Sequence, residues 1–174
     1  YADICEKYLT TVGVDFKLIR KENVATAYAT ILTDRNGENQ VTVFPGASEL
    51  LNGEDVLAYK DRLKLCNMLL LQLEVDETVI EAAVSIAEEY RIPVILNPAP
   101  AKKLDLGILK KFLVITPNEQ EAQAILGLDG TANMKDIAAA FYNRGICKVV
   151  VTLGSRGCLV IDDMKLVHIL PIDI

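Results

Sequence analysis

The sequence contains a single histidine, His168, and that scarcity excludes His-rich metal sites and leaves one position for any Ser-His-Asp or Cys-His arrangement. His168 alternates with Val167 and Ile169 near the end of a strand-like run, where a structural or exposed imidazole is expected. The four cysteines, Cys5, Cys66, Cys147 and Cys158, are far apart and form no Cys-x-x-Cys pair, so buried free thiols are expected. Basic residues are outnumbered, 18 against 24 acidic ones for a net charge of −6, and no Lys/Arg-rich run is present. A nucleic-acid partner is therefore not expected. No apolar run approaches the roughly 18 residues of a membrane span, and the first seven residues do not look like a signal peptide. The expectation is a soluble, cytoplasmic protein. Neither a Gly-x-x-x-x-Gly-Lys phosphate loop nor a Gly-x-Gly-x-x-Gly turn after a strand occurs, so any phosphate must be held by other means.

What the chain does contain is 174 residues that are 51% hydrophobic, the length of one ordinary domain or of part of a larger one. From about Met68 onward, short apolar runs alternate with amphipathic ones. Residues 69–73 read as a strand, and Glu77–Tyr90 places Ile80, Ala83, Val84 and Ala87 at helical spacing behind Asp76 as N-cap. Residues 93–96 and 112–115 read as further strands. Helices follow at Glu119–Leu126, stopped by Gly127, and at 134–144, stopped by Gly145, before the apolar run 148–152. Strands this apolar and separated by helices are expected to be parallel and buried on both faces, in a layered α/β sheet. Ahead of them, residues 27–33 and 38–44 flank Asp34-Arg35-Asn36-Gly37, a hairpin signal. Around Asp162-Asp163 a second, shorter hairpin pairs residues 158–161 with 165–169.

Four strand ends carry residues suited to chemistry. The segment Thr116-Pro117-Asn118-Glu119-Gln120-Glu121 is a strand that stops, a proline turn and a helix that starts. In an open α/β sheet ligands bind beyond the carboxyl ends of the strands, which puts Asn118 and Glu121 at the crevice. An amide and a carboxylate there suit hydrated Mg²⁺. Asn followed three residues later by Glu is equally a capping box, worth about 1 kcal/mol of helix stability. Thr152-Leu153-Gly154-Ser155-Arg156-Gly157 ends another strand, where two glycines let backbone N–H groups approach an anion and Arg156, Thr152 and Ser155 add donors. An ordinary turn explains it as well. Glu74, after Gln72-Leu73, can accept hydrogen bonds from sugar hydroxyls or stand as a solvated acid. Asn97 opens the stiff loop Asn97-Pro98-Ala99-Pro100.

Read together and in order, these strand ends resemble the ribokinase branch of the phosphofructokinase B sugar kinases. Gly13-Val14-Asp15, the hairpin with Asn36-Gly37-Glu38-Asn39, and Gly46-Ala47-Ser48 resemble the lid region of the same enzymes. The resemblance spans nearly the whole chain. It implies a mostly parallel, ribokinase-like α/β sheet with a small β-hairpin lid: residues 1–13 as the end of a core helix, 14–47 as the lid segment and 48–174 as the α/β core. It implies ATP-dependent phosphorylation of a pentose hydroxyl, with ribose to ribose 5-phosphate as the leading reaction. Fructokinase, a nucleoside kinase such as adenosine kinase, or a non-catalytic oligomerisation or regulatory module remain open. Carried over, Asn118 and Glu121 act on Mg²⁺ and phosphate, Asn118 and residues Thr152, Leu153, Gly154, Ser155, Arg156 and Gly157 bind the nucleotide, and Glu74 contacts ribose. The family's sugar-binding strands with a Gly-Gly motif do not precede Tyr1, and its Gly-Ala-Gly-Asp motif, which carries the base, is expected beyond Ile174. Asp173 lacks the accompanying glycines and cannot take that role. A K⁺ site, built in the family mostly from residues beyond Ile174, is admitted by the resemblance and not legible here. One hairpin face is expected to cover substrate and the other to meet a partner lid in a homodimer.

Overall fold

The structure, a computed structural model, describes every residue except Glu38, Lys103, Asp129, Cys147, Met164, Asp173 and Ile174. Helix α1 (Ala2–Thr11) leads into a separate antiparallel hairpin of β1 (Tyr28–Thr33) and β2 (Asn39–Phe44), in which Tyr28 faces Phe44 and Thr33 faces Asn39. Its turn closes through Gly37 N–H donating to the Asp34 carbonyl at 3.2 Å, with Gly37 at φ +86°. A side chain at that φ would be strained, which is what the Asn36-Gly37 signal encodes. Every residue of both strands is exposed.

The rest alternates: α2 (Gly53–Leu57), α3 (Lys60–Leu63), β3 (Leu69–Leu71), α4 (Glu77–Tyr90), β4 (Val94–Leu96), α5 (Leu106–Leu109), β5 (Val114–Ile115), α6 (Glu119–Leu126), α7 (Met134–Asn143), β6 (Lys148–Thr152), β7 (Cys158–Asp162) and β8 (Lys165–Ile169). The strands form one six-stranded sheet in the order β3-β4-β5-β6-β7-β8. The first four are parallel, and β7 and β8 are antiparallel. Helix α4 shows why the sequence folds this way locally. The Asp76 carboxylate accepts from Thr78 N–H at 2.9 Å, Arg91 ends the helix in the left-handed region, and Val79, Ile80, Ala83, Val84, Ile86 and Ala87 are buried. Burial of each larger side chain of that stripe is worth about 1.5–3 kcal/mol.

The two faces of the sheet differ. Leu69, Val94, Leu96, Ile115, Val149, Val151, Leu159 and Ile161 are buried and join one core with Ile80 and Val84 of α4, Ala122 and Ile125 of α6, and Ile137 and Phe141 of α7. Phe141 is wholly inaccessible. The opposite face, formed by the register Leu70–Ile95–Val114 and Val150–Val160–Val167, is open, with Leu70 72% and Val167 55% exposed. Among the described residues the expectation of strands buried on both faces is met on one face only, the side from which the buried helix faces join the core.

The cysteines depart from expectation as well. Cys5 and Cys66 are exposed and Cys158 is half-buried, while Cys147 lies outside the described residues, as do Glu38 of the hairpin and Asp173. The reason for Cys5 is that α1, expected as the end of a core helix, has no buried residue. Cys66 sits in the loop after α3, and Cys158 in β7 on the open side of the sheet, opposite Ile169. His168 is exposed, with its Nε2 2.8 Å from the Arg156 carbonyl oxygen. Among the described residues no helix is long and apolar enough to cross a membrane.

Candidate functional site

Because β3 to β6 are parallel, their carboxyl ends lie along one edge, and each singled-out strand end opens there. At the end of β5, Pro117 is buried and Asn118 is exposed with extended backbone as the N-cap of α6. Its side-chain oxygen accepts from Glu121 N–H at 2.8 Å, and Glu121 Oε2 accepts from Asn118 N–H at 2.7 Å. The capping box is therefore formed. It engages the single side-chain oxygen of Asn118 and one of the two of Glu121, and leaves Glu121 half-exposed at the edge.

The end of β6 is stitched to this junction. Thr152 N–H donates to the Pro117 carbonyl at 2.9 Å, Asn118 and Thr152 form a parallel bridge beyond the named strands, and Arg156 pairs with Glu119. After Thr152 the chain makes a short 3₁₀ turn, Gly154–Arg156, with Gly154 at φ +59° and Gly157 at φ +86°. Gly157 N–H donates to the Gly154 carbonyl at 3.1 Å and Leu153 N–H to the Gly157 carbonyl at 2.9 Å. A Cβ at Gly157 would run into the Ile169 carbonyl, whereas one at Gly154 would meet open space. Glycine at 157 thus serves packing, while at Gly154 the open side faces solvent, where an anion could approach.

At the other end of the row, beyond β4, Glu74 follows β3. Its N–H donates to the Gln72 side-chain oxygen. Glu74 lines a cavity of 620 Å³ between the strand ends and the hairpin, with Val41 and Val43 of β2 on one side and Asp76, Ala99 and Lys102 on the other. The Thr78 hydroxyl and then its N–H hold the Asp76 carboxyl below the usual carboxylate range. Asn97 is exposed at the end of β4, its N–H bonded to the Leu71 carbonyl at 2.8 Å.

The structure thus brings Asn118 and Glu121 together with residues 152–157, and puts Glu74 under the hairpin with a strand between the two groups. Sequence reasoning did not single out Glu119, the Pro117 carbonyl, Lys102 or the hairpin valines. The alternation of Val41 and Val43 on one face of β2 was the available signal for the last. Among the described residues no group of three or more His, Cys, Asp or Glu gathers that could cage a metal ion. The amide oxygen of Asn118 and the carboxylate of Glu121 are hard donors of the chemical type that would suit hydrated Mg²⁺.

Residues 1–174 match the pfkB family carbohydrate kinase. The chain is 36% identical over 142 residues to the ribokinase of Staphylococcus aureus, covering 80% of this chain and 47% of the relative. It is 28% identical over 173 residues to the deoxyribokinase of Salmonella typhi, covering 97% of this chain and 56% of the relative. Among solved structures it superposes on the ribokinase of Thermotoga maritima with a TM-score of 0.81 and 26% identity, over 100% of this chain and 57% of that one. The chain spans about half the length of the curated relatives it matches.

Proposed function

Because the chain belongs to the pfkB family of carbohydrate kinases, we propose that it supplies the magnesium and nucleotide part of a pentose kinase that converts ribose and ATP to ribose 5-phosphate and ADP. The observation that carries this reading is the joint between two strand ends, where Thr152 N–H reaches the Pro117 carbonyl at 2.9 Å and sets the 154–157 turn beside Asn118 and Glu121. Phosphoryl transfer asks for positioning and charge neutralisation more than for covalent help. In this reading Glu121 and Asn118 hold Mg²⁺ through its water, and the ion offsets phosphate charge when bound. The Thr152 and Ser155 hydroxyls, Arg156 and the N–H groups around Gly154 orient the phosphates. Glu74 accepts from a sugar hydroxyl in the 620 Å³ cavity, and the hairpin excludes water from it.

No residue of this chain is assigned as the general base. Without it, turnover falls by about 10²- to 10⁴-fold, and loss of the accompanying oxyanion donors costs a further 10²- to 10³-fold or so. The 174-residue chain alone is therefore expected to show no useful kinase activity. A second reading, a 2-deoxypentose as substrate, draws on the match to a deoxyribokinase over 97% of the chain. The test is to offer the native-length protein ATP and Mg²⁺ with ribose, 2-deoxyribose, fructose and adenosine. Highest kcat/KM on ribose is expected; preference for 2-deoxyribose selects the second reading, and no transfer to any of the four overturns both. Homodimerisation through the exposed hairpin faces belongs to the same proposal, and a monomer by light scattering at micromolar concentration overturns that part.

A further inference from the structure

The ion pair between Glu119 and Arg156 joins the first residue of α6 to the last residue of the 154–156 turn. The turn does not need it for its shape. Its backbone is closed by Leu153 N–H on the Gly157 carbonyl and Gly157 N–H on the Gly154 carbonyl. The Arg156 carbonyl meets His168 Nε2 at 2.8 Å, and Gly157 is wedged against the Ile169 carbonyl. Only the guanidinium is left adjustable, 62% exposed against 36% for the Glu119 side chain.

We propose that Glu119 parks Arg156, and that the phosphates of an incoming nucleoside triphosphate take the guanidinium over. The inference rests on the nucleotide reading of residues 152–157. An exposed ion pair is worth little, because water and salt screen it and two side chains must be ordered to make it. A polyphosphate carries more charge than a carboxylate and can take the planar guanidinium through two oxygens, whereas Glu119 meets it through Oε2 and Nη2 alone. The exchange therefore runs toward the nucleotide. Glu119 loses less than a lone carboxylate would, since it stays in the first turn of a helix, where negative charge is favoured. The consequence is that Glu119 lowers nucleotide affinity and, by reclaiming Arg156, helps the diphosphate product leave.

Calorimetric titration of Mg²⁺-ATP and Mg²⁺-ADP into the native-length protein tests this with E119Q, R156Q and the double variant, each first shown to melt cooperatively. E119Q is expected to bind both nucleotides about two- to five-fold more tightly, the range of an exposed pair released. R156Q is expected to bind them more weakly, and adding E119Q to R156Q to change nothing. Unchanged or weaker binding by E119Q overturns the proposal. Equal tightening by E119Q with and without Arg156 also overturns it, because the effect is then simple repulsion between Glu119 and phosphate. If the unsubstituted protein binds neither nucleotide, the nucleotide reading itself fails and the parking role falls with it.

Discussion

Helix α6 begins at Asn118 with Glu121 three residues on, and α7 begins at Asn133 with Asp136 three residues on, so the two starts carry the same device. Asn118 accepts from the N3 amide at 2.8 Å and Asn133 at 3.1 Å; the return bonds are 2.7 Å from Asn118 N–H to Glu121 and 3.4 Å from Asn133 N–H to Asp136. Helix α2 repeats it with Asn52 and Asp55. A capping box by itself therefore says nothing about ligands. What separates α6 is its place at the end of parallel strand β5, with Thr152 bonded to Pro117 and Arg156 paired with Glu119. Glutamate also reaches one methylene further than aspartate, so one oxygen can close the box while the other faces the edge. The same two residues then serve helix stability and, in the proposed function, magnesium.

Substitutions at the three helix starts separate the two roles. Glu121→Gln in the native-length protein keeps the shape and an oxygen acceptor for Asn118 N–H but removes the charge. Turnover is expected to fall about 10- to 100-fold, the usual cost of losing a group that orients a metal shell, with the melting temperature nearly unchanged. A drop in melting temperature with full turnover would reduce α6 to the status of α7. Asn118→Ala is expected to lower both turnover and stability, the latter by about 1 kcal/mol in denaturant unfolding. Asn133→Ala should cost a similar 1 kcal/mol or so while leaving kcat/KM unchanged; lost activity there would erase the contrast. The smallest effect belongs to α2. The Lys21 ammonium, and then Asn52 N–H, hold the Asp55 carboxyl below its usual range. Its contribution is present above the ordinary carboxylate pKa and is lost as pH falls through the depressed folded value. Asp55→Asn should therefore melt below the unsubstituted protein at neutral pH, with the gap closing in acid. A gap independent of pH would assign the effect to the cap alone.

Periodicity carried much of the fold. The 3.6-residue pattern of Glu77–Tyr90 with Asp76 before it, the stop at Gly127 and the Asn36-Gly37 turn each encode a local choice that the chain makes as read. Helices α2, α3 and α5, of four or five residues, are too short to show a period, and the side-chain caps that start α2 and α5, Asn52 with Asp55 N–H and Asp105 with Gly107 N–H, are seen only in the structure. Leu70 read as part of a buried strand because apolar character reports what a residue tolerates, not which face a helix covers. For the candidate site, order along the chain supplied Asn118, Glu121, Glu74 and residues 152–157. The Glu119–Arg156 pair could not be read, because it joins residues far apart in sequence, and the alternation of Val41 and Val43 marks a face of β2 without saying that a cavity lies under it.

The central claim is that the carboxylate of Glu121 acts on magnesium and that of Asp136 does not, although both close a capping box. Titrating Mg²⁺ at saturating ATP and ribose in native-length Glu121→Gln and Asp136→Asn, beside the unsubstituted protein, measures this directly. A Mg²⁺ requirement raised several-fold is expected in Glu121→Gln alone, with Asp136→Asn following the unsubstituted curve. Superimposable Mg²⁺ curves for all three proteins would contradict it.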